Sequence, residues 1–492
     1  MIKDLRDWLK EVEKLGELLH VSGEVDWDQE MSALTYMVGK QEKAPALLFD
    51  NIQGYPMGTK ALWNIFGTSQ DRIALTMGLP TGRPLLETVL LARDRLSRKL
   101  PPVEVDAATA PVNEHIVRGD DIDLYQFPIP KMWPLDGGRY LGTWNVFVTK
   151  DPDDGHFNLG TYRQMILSKN ELSVYWSPGK DARIQSDRSF ERGEPVEVAA
   201  AYGADPLLFL VGSQSFPKTA SEYDYAGGIR GEAIEVVKGE TTSLLIPAHA
   251  EIVVEGIIRP GNERPEGPFG EFQGYYGRPE GNAPVIEVSC VHYREDPILT
   301  CALMADYPSS DAWLLFSLVK AARIWDDLDM LGVPGIHGVY SFPANAGGFG
   351  MVVVSVEQRY PGHAMQVAAL AAQTPGGAYY TKWIVVVDED VDPTDINQVM
   401  WAMGTRCDPA TDIDILRNTW STYLDPTKNP PEERPYGSKA LINACKDYRH
   451  IKDFARRTRL SRDVYERMVE RWDALGLPGS PPDITQFEDA NL

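Results

Sequence analysis

Cysteine is scarce. The four in 492 residues, Cys290, Cys301, Cys407 and Cys445, form no C-x-x-C pair, and no histidine stands at zinc-ligand spacing from them. Neither a disulfide framework nor a structural zinc site is indicated, and a reducing, cytosolic setting is expected. The eight histidines include no H-x-x-x-H pair, so no zincin-like centre is supported. No stretch approaches the roughly 20 apolar residues of a membrane span. The N-terminal "MIKDLRDWLKEVEKLGELLH" interrupts its apolar residues with charge, unlike a signal peptide. Basic residues are outnumbered: 48 Lys and Arg against 71 Asp and Glu give a net charge of -23. That balance argues against nucleic acid as a partner, because phosphate binding needs clustered cations. There is no G-x-S-x-G elbow, no Walker pattern and no strand-initiated G-x-G-x-x-G. "NAGGFG" (345–350) and "GGIRG" (227–231) read as turns or close backbone packing. "DEDVD" (388–392) lacks the sixth-position glycine and twelfth-position glutamate of a calcium loop and reads as a strand-end loop.

What is present is the composition of a folded enzyme, 43% hydrophobic and 24% charged, in a chain long enough for two or three domains. Ile2, Leu5, Leu9, Val12 and Leu15 predict an amphipathic helix over 2–16. "ALLFDNI" reads as a strand and "GTSQDRIALTMGL" as a capped helix, so residues 1–110 form an α/β portion. From 111 to 310 the texture is strand, turn, strand. Strands are expected at 142–149, 157–167 and 172–176, then in "AEIVVEGII" and "PVIEVSCVHYR", which implies an antiparallel barrel or sandwich. Helices and strands alternate over 311–455. The tail, 456–492, holds a helix over 462–475 that Ser461 can cap, with Val464, Met468, Trp472 and Leu475 in a stripe. Residues 446–471 carry nine Lys or Arg against five acids, which suits either docking on a neighbouring subunit or a solvated face.

One segment stands apart. "RPEGPFGEFQGYYG" (264–277) sets Glu266 and Glu271 five positions apart, and ten of the 23 residues from Arg259 to Gly281 are Gly or Pro. Two readings of the loop stand: a turn-rich connection with solvated glutamates, or a general acid/base pair poised by mutual repulsion and a nearby arginine. A glycosidase-like carboxylate pair is equally compatible with the spacing.

"NLGTYRQM" (158–165), "SEYDYAGGIRGE" (221–232) and "PEGPFGEFQGYY" (265–276) resemble, in this order, signature segments of the UbiD-type decarboxylases, which use prenylated FMN. "APALLFDNIQGYP", "WIVVVDEDVDPTDINQVMWAMGTRCDP" and "GSKALINA" extend the likeness over nearly the whole chain. The resemblance implies an N-terminal α/β portion, a split β-barrel that binds the flavin, and a C-terminal α/β domain with an extended terminal helix. It implies homo-oligomers, dimers or hexamers, and a flavin prenyltransferase as cofactor supplier.

By the same resemblance, Asn158 and Glu222 would ligate a divalent metal, usually manganese, at the cofactor phosphate. Asn158, Leu159, Gly160, Thr161, Tyr162 and Arg163 would line the flavin. Arg163, Glu266 and Glu271 would form the catalytic ionic network, with Glu271 the proton donor and Glu266 the charge balance. In "WSPGKD", after Gly179, Lys180 stands where ferulate-type members have a third metal ligand, a histidine. An ammonium has no lone pair to offer, so Lys180 is expected to contact the phosphate instead. Lys382 is the nearest candidate for a phosphate contact from the C-terminal domain. A potassium site would use backbone oxygens near Leu159, Val211, Gly212 and Gln214. "LDPTKNP" (424–430) and "VVVDEDVDP" resemble phenolic acid decarboxylases, which makes a hydroxylated benzoate the first choice of substrate. An indole or pyrrole carboxylate and a polyprenyl hydroxybenzoate follow. A two-carboxylate hydrolase, or a flavin-binding subunit that needs a partner, are the alternatives of another class.

Overall fold

The computed structural model describes residues 2–311, 313–428, 433–484 and 487. The last two residues of "LDPTKNP" lie outside that set. The chain divides into two compact units, one up to Cys445 and one from Lys446 on.

In the first unit the N-terminal stripe folds as α1 (Leu5–Lys14), capped by Asp4, whose carboxylate accepts the Asp7 N–H at 2.8 Å. Leu5, Trp8, Leu9 and Val12 are buried on one face, as the periodicity requires. Three short strands, Leu18–Val21, Ala46–Phe49 and Lys60–Trp63, build a sheet completed by Ile298–Thr300 from far along the chain. That late strand ties the N-terminal portion to the middle region.

The middle region is an antiparallel sheet of β1 (Asn145–Lys150), β2 (Phe157–Gly160), β3 (Gln164–Ser168), β4 (Glu171–Val174), β5 (Val196–Tyr202), β6 (Ile252–Glu266) and β7 (Gly281–Tyr293). Its order is β2-β1-β5-β6-β7-β4-β3, with His115–Arg118 also paired to β7. The two end strands, β2 and β3, are joined by only Thr161, Tyr162 and Arg163. Three residues cannot span a flat sheet of this width, so the sheet curves until the joined strand ends, Gly160 and Gln164, lie within about 14 Å of one another.

Two strands differ from the sequence expectation. The expected strand over 157–167 is broken at Thr161–Arg163, because the Tyr162 ring folds back over Gly160: a Cβ added there would sit 2.3 Å from the ring. The side-chain amide of Asn145 donates to the Tyr162 carbonyl at 2.9 Å and holds the break. Conversely, β6 runs on through Pro260, Gly261 and Pro265, past an irregularity between Ile258 and Glu263, so that Glu266 ends a strand opposite Gly281.

The C-terminal part of the first unit is a five-stranded sheet in the order Ile336–Ser341, Met351–Val356, Trp383–Asp388, Gly437–Ala444, Ile413–Thr419. Its three middle strands are parallel and its two edges antiparallel. "MVVVSV" is buried at every position, the pattern of a strand covered on both faces.

In the second unit a helix, Arg462–Arg471, is followed by a short 3-10 turn and ended by Gly476 at φ 71°. Val464, Met468 and Trp472 are half-buried, whereas Leu475 is exposed. Ser461 stands at the N-cap, but its hydroxyl makes no hydrogen bond to the helix backbone.

Candidate active site

The break between β2 and β3 places Arg163 at the seam of the rolled sheet, where the end of β6 arrives. Its guanidinium meets Glu266 in a bidentate pair, Nε to Oε1 at 2.8 Å and Nη2 to Oε2 at 3.0 Å, across 103 positions of sequence. The remaining Nη1 donates to Glu271. All three side chains are nearly inaccessible, at 8%, 0% and 6% exposure. Glu266 also accepts the Tyr140 hydroxyl at 3.1 Å and Arg278 Nη1 at 3.1 Å. Burial pushes its carboxyl up, but the charge and hydrogen bonds of Arg163, then Arg278 and Tyr140, outweigh this and hold it below the ordinary value. Of the two acids, Glu266 is therefore locked as the anion. Glu271 has Arg163 as its one salt-bridge partner among the described residues.

The loop carrying Glu271 is anchored from below. Asp136 accepts the Gly270 N–H at 3.0 Å and the Trp133 N–H at 2.9 Å, and Pro268 O accepts the Gly137 N–H at 2.9 Å. Burial pushes Asp136 up to about 6 against these hydrogen bonds. Gly270 admits no side chain: a Cβ there would lie 2.3 Å from the Trp133 ring. The glycines thus set where the carboxylate points.

Arg163 and Glu271 face a cavity of about 880 Å³, counting the space open at its mouth. Its walls are aromatic (Tyr175, Phe269, Phe272, Phe316, Phe349, Tyr379), with Met304 and Leu424, and polar at Thr143, Asn145, Ser177 and Ser213. The Tyr175 hydroxyl is buried and has no hydrogen-bond partner among the described residues.

Of the residues expected around a cofactor, Thr161, Tyr162, Arg163 and Lys180 line this cavity. Lys180 lies with Nζ 4.4 Å from the centre of the Tyr379 ring and makes no ion pair among the described residues, and burial pushes its ammonium down. Gly179, at φ +86°, is exposed and packs beside Trp420. Asn158 and Glu222 form a second group. Asn158 sits on β2, and the next residue, Leu159, donates its N–H to Glu222 Oε2 at 2.8 Å. Glu222 opens the helix α2 (Glu222–Arg230) behind its N-cap Ser221. Lys382 is set apart from both groups: it is paired with buried Asp425 at 2.9 Å and lines a different, hydroxyl-rich pocket. A Cβ at Gly212 would lie 3.6 Å from the Leu159 carbonyl, so those two backbone stretches are neighbours.

Glu222 suits a cation. Burial pushes it up to about 8, the charged neighbours acting on it are Asp181 and Asp224, and it makes no salt bridge among the described residues. A buried carboxylate without a counter-ion offers hard oxygen donors, and Asn158, whose amide donates to the Thr149 hydroxyl at 3.2 Å, keeps its own oxygen one residue along β2 from the Glu222 contact. By contrast, the buried group Glu255, Cys290 and His292 has ligand atoms close enough for a metal. Its carboxylate already takes hydrogen bonds from the N–H groups of Glu240, Thr241 and Thr242, the Thr242 hydroxyl and His292. The carboxylate is thus held by hydrogen bonds from its own surroundings.

Tyr140, Asp136, Tyr175 and Arg278 were not marked by sequence reasoning. Only Arg278 lay beside a recognisable signal, in the Gly/Pro-rich window itself.

Comparison with known proteins places this geometry in a class. Three family models match in order: the N-terminal domain of 3-octaprenyl-4-hydroxybenzoate carboxy-lyase at residues 9–89, its Rift-related domain at 103–307 and its C-terminal domain at 314–444. An uncharacterized protein of Aquifex aeolicus (strain VF5) is 33% identical, covering 96% of this chain and 99% of its own. Among solved structures, the vanillic acid decarboxylase of Sedimentibacter hydroxybenzoicus in closed form is 29% identical with a TM-score of 0.87, over 96% of this chain and 99% of that one. The UbiD-class enzyme HmfF of Pelotomaculum thermopropionicum, in complex with prFMN, is 28% identical with a TM-score of 0.79, over 93% and 97%. The 3,4-dihydroxybenzoic acid decarboxylase of Klebsiella pneumoniae is 26% identical with a TM-score of 0.78, over 97% and 100%. The chain belongs to the UbiD family of carboxy-lyases.

Proposed function

We propose that the protein catalyses the reversible, non-oxidative decarboxylation of an aromatic carboxylic acid, a hydroxylated benzoate first, with prenylated FMN as cofactor. The observation that carries this reading is Arg163, bound to both Glu266 and Glu271 at the wall of an aromatic cavity. The substrate class is supported by relatives named for vanillic and 3,4-dihydroxybenzoic acid, and the cofactor by the prFMN complex of HmfF. The rolled central sheet is read as the split barrel that holds the flavin. We extend the reading to a soluble, cytoplasmic homo-oligomer supplied by a flavin prenyltransferase.

Loss of CO2 leaves an electron pair on an sp2 carbon, and bound prenylated FMN supplies the sink that no side chain offers. The protein's own residues do the rest. Arg163 binds and orients the incoming carboxylate. Glu266 balances part of its charge. As the bond between ring carbon and carboxyl carbon breaks, Glu271 delivers the proton that completes the new C–H bond, then regains one from solvent. In the carboxylating direction Glu271 takes that proton back. The aromatic walls exclude water, and the unpartnered Tyr175 hydroxyl offers a hydrogen bond to a polar ring substituent. Asn158 and Glu222 would hold a divalent ion, manganese in this reading, at the flavin phosphate, with Lys180 adding a second positive charge from the cavity side. Lys382 would reach the phosphate only by leaving Asp425. Backbone oxygens near Leu159 and Gly212 would take potassium.

The test is the flavin-loaded protein, co-expressed with a flavin prenyltransferase and incubated with a panel of aromatic acids while CO2 release is scored. Glu271→Gln should cut turnover by about 10²–10⁴-fold, the range of a general acid, with flavin still bound. Full activity in that variant refutes the assignment of Glu271.

A further inference from the structure

The expected network has one arginine and two glutamates; the structure adds a second arginine. Because β6 and β7 pair Glu266 with Gly281, the returning strand brings Arg278, three residues earlier, back beside the carboxylate it left. Arg278 donates from Nη1 to Glu266 Oε2 at 3.1 Å and from Nη2 to the Asn282 carbonyl at 3.2 Å. Gly281 makes room for it, since a Cβ there would meet Nη2 at 2.6 Å. The Arg278 and Arg163 guanidinium groups lie 4.7 and 4.4 Å from the centre of the same Tyr175 ring. Arg278 is not among the residues that line the cavity; it touches Tyr175, which is, and Glu266, whose partner Arg163 is.

We propose that Arg278 is a positioning residue that neutralises Glu266, so that Arg163 keeps a charge for the substrate carboxylate. The inference rests on the decarboxylase reading and deepens it. The charged and titratable groups around Glu266 are Arg163, Arg278, Tyr140 and Glu271, with Asp136 and Tyr175 adjoining. When Glu271 carries its proton and substrate is bound, two carboxylates, Glu266 and the substrate's, face two guanidinium groups. Without Arg278 the same two carboxylates compete for Arg163 alone. Arg278 holds Glu266 through one nitrogen rather than two, so a lysine can supply the same charge.

The experiment titrates the flavin-loaded protein calorimetrically with 4-hydroxybenzoate and with its uncharged amide, 4-hydroxybenzamide. Arg278→Gln should weaken benzoate binding on the order of tenfold, the scale of one charge acting across a single carboxylate, and leave the amide unchanged. Arg278→Lys should restore benzoate binding. Equal weakening of both ligands, no weakening of either, failure of lysine to restore, or a wild type that binds no benzoate each overturns the proposal. CO2 release separates it from the broader reading. A wild type whose benzoate affinity depends on Arg278 but which decarboxylates no aromatic acid refutes the proposed function alone. An active wild type whose Arg278→Gln variant binds benzoate normally refutes the role of Arg278 alone.

Discussion

Removing Arg163 is the most informative perturbation of this site, because its effect on stability has a calculable sign with pH. Arg163→Gln deletes a bidentate pair to a carboxylate with no exposure and the hydrogen bond to Glu271, leaving the surrounding walls intact. Breaking a buried ion pair by removing one partner costs about 3–5 kcal/mol. Arg278 and Tyr140 still hold Glu266, so the expected loss is about 2–3 kcal/mol. Glu266 titrates in the fold below its ordinary value of 4.5, so its stabilising contribution is present above that value. It is lost as pH falls through the lower folded value. Without Arg163, burial prevails and the carboxyl rises, so the variant's deficit should be full at pH 8 and shrink toward pH 4. Arg163→Lys keeps the charge but not the fork, and should lose about half as much. Urea unfolding followed by tryptophan fluorescence at pH 8, 6 and 4.5 reads the apparent stability of the first transition. A deficit of equal size at every pH, or none at pH 8, refutes the assignment of Arg163 as counter-ion to the buried carboxylates.

Three other outcomes follow from the geometry. Gly270→Ala drives a methyl into the Trp133 ring and displaces the loop bearing Glu271. Turnover should drop by about tenfold or more with flavin retained, and wild-type kinetics would refute the anchoring of that loop. Burial holds the Glu222 carboxyl protonated below about 8, and a cation must displace that proton. Manganese affinity should therefore rise about tenfold per pH unit from pH 6 to 8 and level off above, and should be lost in Glu222→Gln. A pH-independent binding isotherm would remove Glu222 from the proposed metal site. His292→Ala removes one of five donors to buried Glu255 and should destabilise the protein by about 1–2 kcal/mol, while chelators leave wild-type stability at this cluster unchanged. Bound metal released on His292 substitution, measured by elemental analysis, would contradict the reading of this cluster as a hydrogen-bonded group.

Much of the local structure was legible because it depends on periodicity alone. The stripe of α1 and the apolar strands of "AEIVVEGII" and "PVIEVSCVHYR" each fix an element without reference to distant residues. The Gly/Pro-rich loop marked Glu266 and Glu271 as held rather than drifting, and the ordered motifs pointed to the family. Periodicity also misled. The stretch 157–167 reads as one strand, yet packing of Tyr162 on Gly160 breaks it, and the break is what aims Arg163 at the glutamates.

By itself the sequence determined most of the elements, the family and two carboxylates on a constrained segment. Only the tertiary structure decided which charges meet. Arg163 reaches Glu266 across 103 positions because the sheet rolls its two edges together at Thr161–Arg163. The antiparallel pairing of β6 and β7 returns Arg278 to the same carboxylate, and Asp136 fixes Gly270 from a third segment. Lys382, a candidate phosphate contact by resemblance, is paired with buried Asp425, which lies 43 positions away. Sheet curvature and charge pairing are non-local properties. They follow from how faces already set by the sequence pack against one another, and no window of residues contains them.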